Sequence, residues 1–375
     1  MRPLSDSRLA PESFFRSFRP AVFRFSLAFT FFGVAALASA QIFAIPGLLR
    51  AQTQAQAPST SSISREVKAV FEKSAKAVIK VRGTDAHGEF AGTGFFIDPA
   101  GTLYTAYSVA GDADNLTVDF DGKKYPVRVM LTDVRSGIAI LKADIATPAL
   151  PIGKSQQIEV ATPVITIGYP LDLPETPSFG MIAGFDRKFL GRYFSTTHLR
   201  VNVPTQRGEA GAPILNFKGE VVGILVSSIE NGSACYALPI DAAEKIRNDF
   251  ARFGEARHGW IGINVAEAEK FKEGSRAEMT EIMRDTPAFG SGVKPGDILL
   301  QVGKTKVREP EDVIDASFFI TAGDTVPITV LRGDEKLTFE MEADFHPASH
   351  HPPVIAAPGM NQSIPLRLDS VGRTP

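Results

Sequence analysis

The chain has 375 residues, which is long enough for two or three domains. Hydrophobic residues make up 44% of it, so it can bury full-sized cores, and this excludes a globally disordered protein. The net charge of −2 gives no overall attraction to nucleic acid. The single cysteine, Cys235, excludes an internal disulfide and lies in an apolar run that predicts a buried thiol.

The N-terminal residues 1–49 are predicted to be a targeting segment outside the fold. An arginine-rich leader precedes residues 25–49, which carry no charge. The small residues at 38–40 fit a signal-peptide cleavage pattern, whereas the apolar run continues to Leu49, far enough to span a bilayer. The segment is therefore either a cleaved signal peptide or a membrane anchor. In both cases the basic side stays in the cytoplasm and the body is exported.

Two further segments are predicted to lie outside the folded domains. Residues 50–63 are small, polar and low in complexity, which predicts a flexible linker. Ser64 then precedes apolar residues at helical spacing from Val67 to Ala75, which predicts a helix capped by that serine. Residues 346–375 are rich in Pro, His and Ser and have no apolar periodicity, so we expect a disordered tail.

Short β-prone runs bounded by Gly, Asp and Pro follow, a pattern typical of a β-barrel or sandwich. They form two sets of six, and apolar residues at helical spacing over 241–253 predict a helix that closes the second set. The predicted strands are 77–81, 93–97, 103–108, 116–120, 127–131 and 138–142, then 163–167, 179–185, 198–203, 213–215, 221–226 and 235–238.

Four motifs in chain order carry a family resemblance. They are GTGFFIDPAG at 92–101, LYTAYSVA at 103–110, TDVRSGIAILK at 132–142 and GEAGAPILN at 208–216. With these motifs the chain resembles the HtrA/Deg family of trypsin-fold proteases that carry a PDZ domain. The resemblance implies two six-stranded barrels followed by a PDZ domain.

The resemblance places non-catalytic residues at all three catalytic positions. Ser108 stands where the family has its histidine, Gly137 where it has its aspartate, and Ala210 where it has its serine. The mechanism needs a hydroxyl nucleophile, an imidazole base and a carboxylate that orients the base. No histidine lies between His87 and His198, so a shifted alignment does not restore the base. The triad is therefore predicted to be vacant.

The fourth motif could keep a role through its backbone. The amides of Gly208 and Ala210 could form a donor pair similar to an oxyanion hole, or they could belong to an ordinary tight turn. An active enzyme would need a nucleophile from elsewhere, such as Thr205, Ser227 or Ser228.

A second domain is predicted from about residue 255. GWIGI at 259–263 resembles the carboxylate-binding loop of HtrA-type PDZ domains, and AFGSGVKPGDIL at 288–299 matches another PDZ segment of that family. PDZ domains bind extended peptides by strand addition. We expect a strand at 262–265 and a helix at 309–319 to form the walls of the groove. The predicted peptide-binding residues are Trp260, Ile261, Gly262, Ile263, Val265, Val313 and Ser317. Of these, Ile263, Val265, Val313 and Ser317 could instead be plain core.

The sequence thus predicts a mainly β protein with a trypsin-like domain at 64–254, expected to be inactive, and a PDZ domain at 255–345. The predicted function is that of an exported pseudoprotease in a bacterial periplasm, either soluble or anchored to the inner membrane through residues 25–49. It would bind peptide C-termini or unfolded envelope proteins, or modulate an active HtrA relative through homo- or hetero-oligomers. The alternative is an active serine endopeptidase of envelope protein quality control. No cofactor, metal or nucleic-acid partner is predicted.

Overall fold

The computed structural model describes residues 60–190, 192–229, 232–272, 274–347 and 366–367. The predicted targeting segment at 1–49 lies outside these residues, as does most of the predicted linker. Among the helices that the structure describes, none is long and apolar enough to cross a membrane.

The first barrel follows helix α1 and a short 3-10 turn (Ala75–Ala77). Its strands pair as a ring in the order first, fourth, fifth, sixth, third, second, and antiparallel pairing of the first two strands closes the ring. Phe96, Leu103 and Val118 are fully buried inside it. The elements are α1 (Thr60–Ser74), β1 (Val78–Asp85), β2 (Gly88–Phe96), β3 (Thr102–Ala106), α2 (Tyr107–Ala110), β4 (Asp114–Phe120), β5 (Lys123–Asp133) and β6 (Ile138–Ala143).

Two details of this region were wrong in the sequence-based prediction. Helix α1 begins at Thr60, so Ser64 lies inside the helix and does not cap it, and the helix overlaps the end of the predicted linker. Several Ser and Thr residues in a row are equally good helix starts, so the apolar period does not fix the first turn. The strand predicted at 103–108 ends at Ala106, because the chain turns there into α2, which is closed by the Gly111 amide on the Tyr107 carbonyl (2.6 Å).

The second barrel is also a closed ring of six strands. Helix α3 follows it, buries Ile240 and Ile246, and ends at Gly254 in the left-handed conformation (φ 79°), which favours glycine. Cys235 is buried, as predicted. The elements are β7 (Pro163–Gly168), a 3-10 turn (Pro170–Asp172), β8 (Thr176–Phe189), β9 (Arg192–Val201), β10 (Pro213–Leu215), β11 (Val221–Ser228), β12 (Cys235–Pro239) and α3 (Ile240–Phe253).

The third part has a sheet of six strands, five of them in the order β14-β15-β16-β18-β19 with β14 at the edge, and the sixth, β17, paired with β16. Strands β13 and β20 form a separate pair. Its helix α4 is shorter than the predicted 309–319, because the Asp312 carboxylate accepts the amides of Arg308 and Glu309 and turns the chain before the helix. The elements are β13 (Gly259–Trp260), β14 (Ile263–Lys272), β15 (Ser275–Ile282), β16 (Ile298–Val302), β17 (Thr305–Lys306), α4 (Asp312–Phe318), β18 (Thr325–Arg332), β19 (Glu335–Glu342) and β20 (Asp344–Phe345).

The predicted disordered tail lies mostly outside the described residues. Of that range, residues 346–347 are described, and β21 (Leu366–Arg367) pairs with Phe90 and Ala91 of β2. The hydrophobic cores join the parts: one cluster contains Phe95 of the first barrel, Ile165 of the second and Phe318 of α4. The PDZ-type helix therefore packs against the core of the barrels.

Candidate functional site

The three predicted triad positions lie on adjoining segments. The Tyr107 amide, next to Ser108, donates to the Gly137 carbonyl at 2.7 Å. A Cβ at Gly137 would lie 3.6 Å from Val226. Gly211, next to Ala210, donates its amide to the carbonyl of Leu225, next to Val226, at 2.8 Å. The structure therefore brings the three positions together, with a half-buried hydroxyl, a glycine and a methyl group that is 4% exposed.

The loop around Ala210 has a backbone that only glycine permits at two points. A Cβ at Gly208 would lie 2.3 Å from the Tyr169 carbonyl oxygen, and one at Gly211 would lie 2.2 Å from the Thr93 carbonyl oxygen. Both glycines have positive φ, 96° and 87°. Thr93 also donates its hydroxyl to the Gly208 carbonyl (2.7 Å) and its amide to the Ala210 carbonyl (2.9 Å). Packing therefore determines the shape of this loop.

The Gly208 and Ala210 amides do not donate to another group among the residues that the structure describes. An amide pair of this kind can hold a carbonyl or carboxylate oxygen. The pair has no acceptor among the described residues, and the three predicted triad positions beside it carry Ser108, Gly137 and Ala210.

Glu209 is the acidic residue buried in this loop, with 2% of its surface exposed. Its Oε2 accepts the Gln206 amide at 2.6 Å. Burial raises the pKa of Glu209 to about 7, although that hydrogen bond opposes the increase. The carboxyl therefore binds a proton more tightly in the folded protein than in the unfolded chain.

Two of the alternative nucleophiles, Thr205 and Ser228, are hydrogen bonded to each other. Thr205 donates its hydroxyl to Ser228 at 3.0 Å. Among the described histidines, His198 is buried against the Thr196 carbonyl and His258 binds Asp133. Neither ring is hydrogen bonded to a serine or threonine hydroxyl in the part of the chain that is described.

A second site is a groove of about 390 Å³ between β14 and α4. Its lining includes the apolar residues Ile263 of β14 and Val313 of α4. All seven residues that the sequence predicted for peptide binding line it, namely Trp260, Ile261, Gly262, Ile263, Val265, Val313 and Ser317.

The loop at the closed end of the groove has free backbone donors. Gly262 has a φ of 80°, and a Cβ there would lie 2.3 Å from the Thr286 side chain. The Ile261 carbonyl accepts the Ala288 amide (2.9 Å), whereas the amides of Ile261 and Gly262 donate to no other group in the described residues. Such a loop can bind a terminal carboxylate.

Helix α4 is attached to the second barrel through two carboxylates, of which Asp315 makes the most contacts. Asp315 accepts the hydroxyls of Thr196 (2.8 Å) and Thr197 (2.6 Å) and the Thr197 amide (2.5 Å). Arg187 of β8 adds ion pairs to Asp312 and Asp315. One wall of the groove is therefore held in place by the trypsin-like domain.

A buried pair connects the first barrel to the start of the second domain. His258 Nε2 lies 2.9 and 3.1 Å from the two carboxylate oxygens of Asp133, and both residues are under 10% exposed. Burial alone would raise the pKa of Asp133, but the hydrogen bond and charge of His258 and the donors of Ser136 hold it below the ordinary value. The pair connects the two domains. Because both side chains are buried, a substrate cannot reach them and the pair is not a catalytic dyad.

Sequence reasoning missed the three groove residues that lie outside the predicted PDZ domain at 255–345. Arg135 and Tyr193 come from the trypsin-like domain, and His346 comes from the predicted tail. Arg135 stands inside the third motif, but nothing in the local pattern shows that this loop reaches a groove formed more than a hundred residues later. In the described residues no cluster of His, Cys, Asp or Glu could hold a metal ion.

Comparison with known proteins agrees with both parts of the fold. Residues 92–224 match the trypsin-like peptidase domain family, and residues 259–342 match the PDZ domain family. A probable periplasmic serine endoprotease DegP-like of Pseudomonas fluorescens is 27% identical over 307 residues, covering 78% of this chain and 64% of that protein. The chain thus spans less than two thirds of that relative. The serine endoprotease DegS of Escherichia coli strain K12 is 25% identical over 336 residues, covering 82% of this chain and 95% of DegS.

Solved structures share the fold at low sequence identity. The HtrA-type protease AlgW with a tripeptide has a TM-score of 0.65 and 22% identity, covering 76% of this chain and 98% of that chain. A serine endoprotease from Yersinia pestis has a TM-score of 0.57 and 24% identity, covering 75% and 98%. The two domain matches, in the order and fold of these relatives, show that the chain belongs to the HtrA/Deg family, which joins a trypsin-like peptidase domain to a PDZ domain.

Proposed function

We propose that this protein is an exported periplasmic pseudoprotease whose PDZ groove binds the C-termini of peptides or of unfolded envelope proteins. The observation that carries the proposal is the contrast between three non-catalytic residues at the triad positions and a groove with open donors and apolar walls. The periplasmic names of the DegP-like relatives and the apolar N-terminal segment support export. That segment would be removed as a signal peptide or would anchor the protein to the inner membrane.

The chemistry of the triad positions argues against peptide hydrolysis. The Ala210 methyl group cannot attack a carbonyl, the Ser108 hydroxyl is far too weak a base at neutral pH, and Gly137 has no carboxylate. The members of a serine protease triad act as a unit that contributes about 10⁶-fold to turnover in a well-studied case. The remaining Gly208 and Ala210 amides supply at most binding or weak polarisation.

The groove has the parts that peptide capture requires. Strand β14 is the edge strand of its sheet among the described residues, so an extended ligand can pair with it. The Ile261 and Gly262 amides have no acceptor among the described residues and would donate to a terminal carboxylate, and Ile263 and Val313 would offer apolar contacts to ligand side chains. Through the same scaffold the protein would form homo-oligomers or mixed oligomers with an active HtrA relative and modulate it.

The first test is hydrolysis of casein by the purified protein, beside an active HtrA-family protease as the positive control. We expect no turnover. Measurable turnover that co-purifies with the protein would contradict the proposal and favour an endopeptidase. Alanine variants of Thr205, Ser227 and Ser228 would then locate the nucleophile.

The second test is peptide binding, measured by fluorescence polarisation with labelled decapeptides that end in free Val, Leu or Phe. We expect binding, and we expect Ile263→Asp to weaken it about 100-fold, because the change removes an apolar contact and repels the ligand carboxylate. Val160→Asp is the matched control, since Val160 is 58% exposed and outside the groove. Failure of the natural protein to bind any of these peptides would overturn the proposed function.

A further inference from the structure

Arg135 lies in the loop between β5 and β6, in the trypsin-like domain, and it is one of the residues that line the PDZ groove. It shares that lining with Trp260, Ile261 and Gly262 of the carboxylate loop. The loop that carries Arg135 is fixed by Asp133, whose carboxylate binds His258 just before the carboxylate loop. The position of the guanidinium relative to the groove is therefore set by a buried contact between the two domains.

The guanidinium has no ion pair and no side-chain hydrogen bond among the described residues. Its Nε is buried without a partner. The carboxylate whose charge acts on Arg135, that of Asp133, already accepts His258 Nε2 and the amides of Arg135 and Ser136. Burial lowers the pKa of Arg135, which the charge of Asp133 partly opposes, but arginine stays charged at any physiological pH. A partly buried charge without a partner is costly unless a ligand neutralises it.

In the described part of the chain, the other ionisable groups around the groove form no ion pair with Arg135. Burial first, and then the charges of Arg135 and His258, lower the pKa of His346 to about 4, so that ring is neutral at pH 7. Glu311 is the acidic residue of the lining, at the start of α4. Asp312 and Asp315 are paired with Arg187.

We propose that Arg135 completes the PDZ site by forming an ion pair with the terminal carboxylate of the bound peptide, beside the Ile261 and Gly262 amides. The inference rests on the proposed function and extends it, because the binding site then spans both domains. The trypsin-like domain without a triad would keep a direct role in recognition, since it supplies the cation of the groove.

The test compares Arg135→Gln with the natural protein, using the same decapeptides with a free C-terminus and with an amidated one. We expect Arg135→Gln to weaken binding of the free acid by about tenfold to a hundredfold, the range for a hydrogen bond to a charged partner. The amidated peptides should bind both proteins equally weakly. Arg135→Lys should restore part of the affinity, because it keeps the charge but not the fork of donors. Arg128→Gln is the matched control, because Arg128 lies on β5 with an exposed ion pair to Asp144.

The results distinguish failure of the inference about Arg135 from failure of the proposed peptide-binding function. If the natural protein binds and Arg135→Gln binds equally well, the inference is overturned and the proposed function stands. An equal loss for free and amidated peptides also overturns it, since the arginine would then act on the shape of the groove. If the natural protein binds no peptide, both proposals fail. Should Arg135→Gln not fold, the ratio of free-acid to amide affinity in Arg135→Lys still decides, because an unchanged ratio contradicts the pairing.

Discussion

The cleft at Ala210 and the PDZ groove use the same kind of backbone but differ in their side chains. In both, a glycine with positive φ lies so close to a neighbour that a Cβ would collide with it, Gly208 with Tyr169 and Gly262 with Thr286. Backbone amide donors lie beside each of these glycines. The groove adds apolar walls and a cation, whereas the cleft has a methyl group where a nucleophile would stand. Packing of Gly208 and Gly211 against their neighbours therefore determines the shape of the Ala210 loop independently of the side chain at position 210.

One loop serves both regions. The β5–β6 loop carries Gly137, which belongs to the cleft, and it also carries Asp133 and Arg135, which reach the start of the PDZ domain and its groove. A loop with two roles can lose one and keep the other. The contacts of Asp133 and Arg135 therefore do not depend on which residue stands at position 137.

The largest expected effect comes from restoring the triad in the cleft. The variant Ser108→His/Gly137→Asp/Ala210→Ser should gain casein turnover at least about 100-fold above background, because the three groups act as a unit. Gly137 has a φ of 76°, so the new aspartate carries a strain of about 1 kcal/mol, which this residue type tolerates better than most. Ala210→Ser alone is the control and should gain nothing. A folded but inactive triple variant would mean that the cleft lacks the geometry for catalysis as well as the side chains. The cleft would then not be a preserved site in the way that the PDZ groove is.

The second effect concerns the buried contact between the regions. Asp133→Asn should destabilise the protein by about 3 kcal/mol at pH 7, because it weakens a buried hydrogen-bonded pair. The folded protein lowers the pKa of Asp133, so this stabilisation is present above the unfolded value of about 4 and is lost as pH falls through the folded value. Urea unfolding of both proteins from pH 7 to pH 3 measures it. A difference that stays constant over that range would show that the Asp133 charge is not what His258 binds.

Much of the fold was predictable because local patterns repeat what the tertiary structure requires. Alternating apolar residues and turn glycines gave the two sets of six strands, and the spacing of Ile246 and its neighbours gave α3. The end of β3 was missed, since β-prone residues at 107–108 are overridden by a hydrogen bond from Tyr107 to a loop 30 residues later. Local propensity carries no information about such a partner.

The groove shows more clearly than β3 that local sequence patterns do not reveal contacts with distant residues. The residues of β13, β14 and α4 could be identified because they stand in one motif and one helical period. Arg135 could not, because its placement depends on the Asp133–His258 pair, whose members are 125 residues apart. A charge in a strand-connecting loop is by default a solvated surface group. Only the domain contact turns it into part of a binding site.

The smallest expected effect tests whether the cleft loop is as tightly packed as the groove. Because burial raises the pKa of Glu209 to about 7, its neutral form stabilises the fold fully below the unfolded value of about 4, and this contribution is lost as pH rises to 7. Glu209→Gln removes the penalty, so its stability relative to the natural protein should increase by about 2 kcal/mol between pH 4.5 and pH 7.5. Glu159→Gln, at an exposed position, should show no such trend in the same urea series. A flat difference for Glu209→Gln would mean that water reaches this carboxyl group. The loop around Ala210 would then lack the dry packing that preserves its shape, and the similarity between cleft and groove would be limited to their backbone.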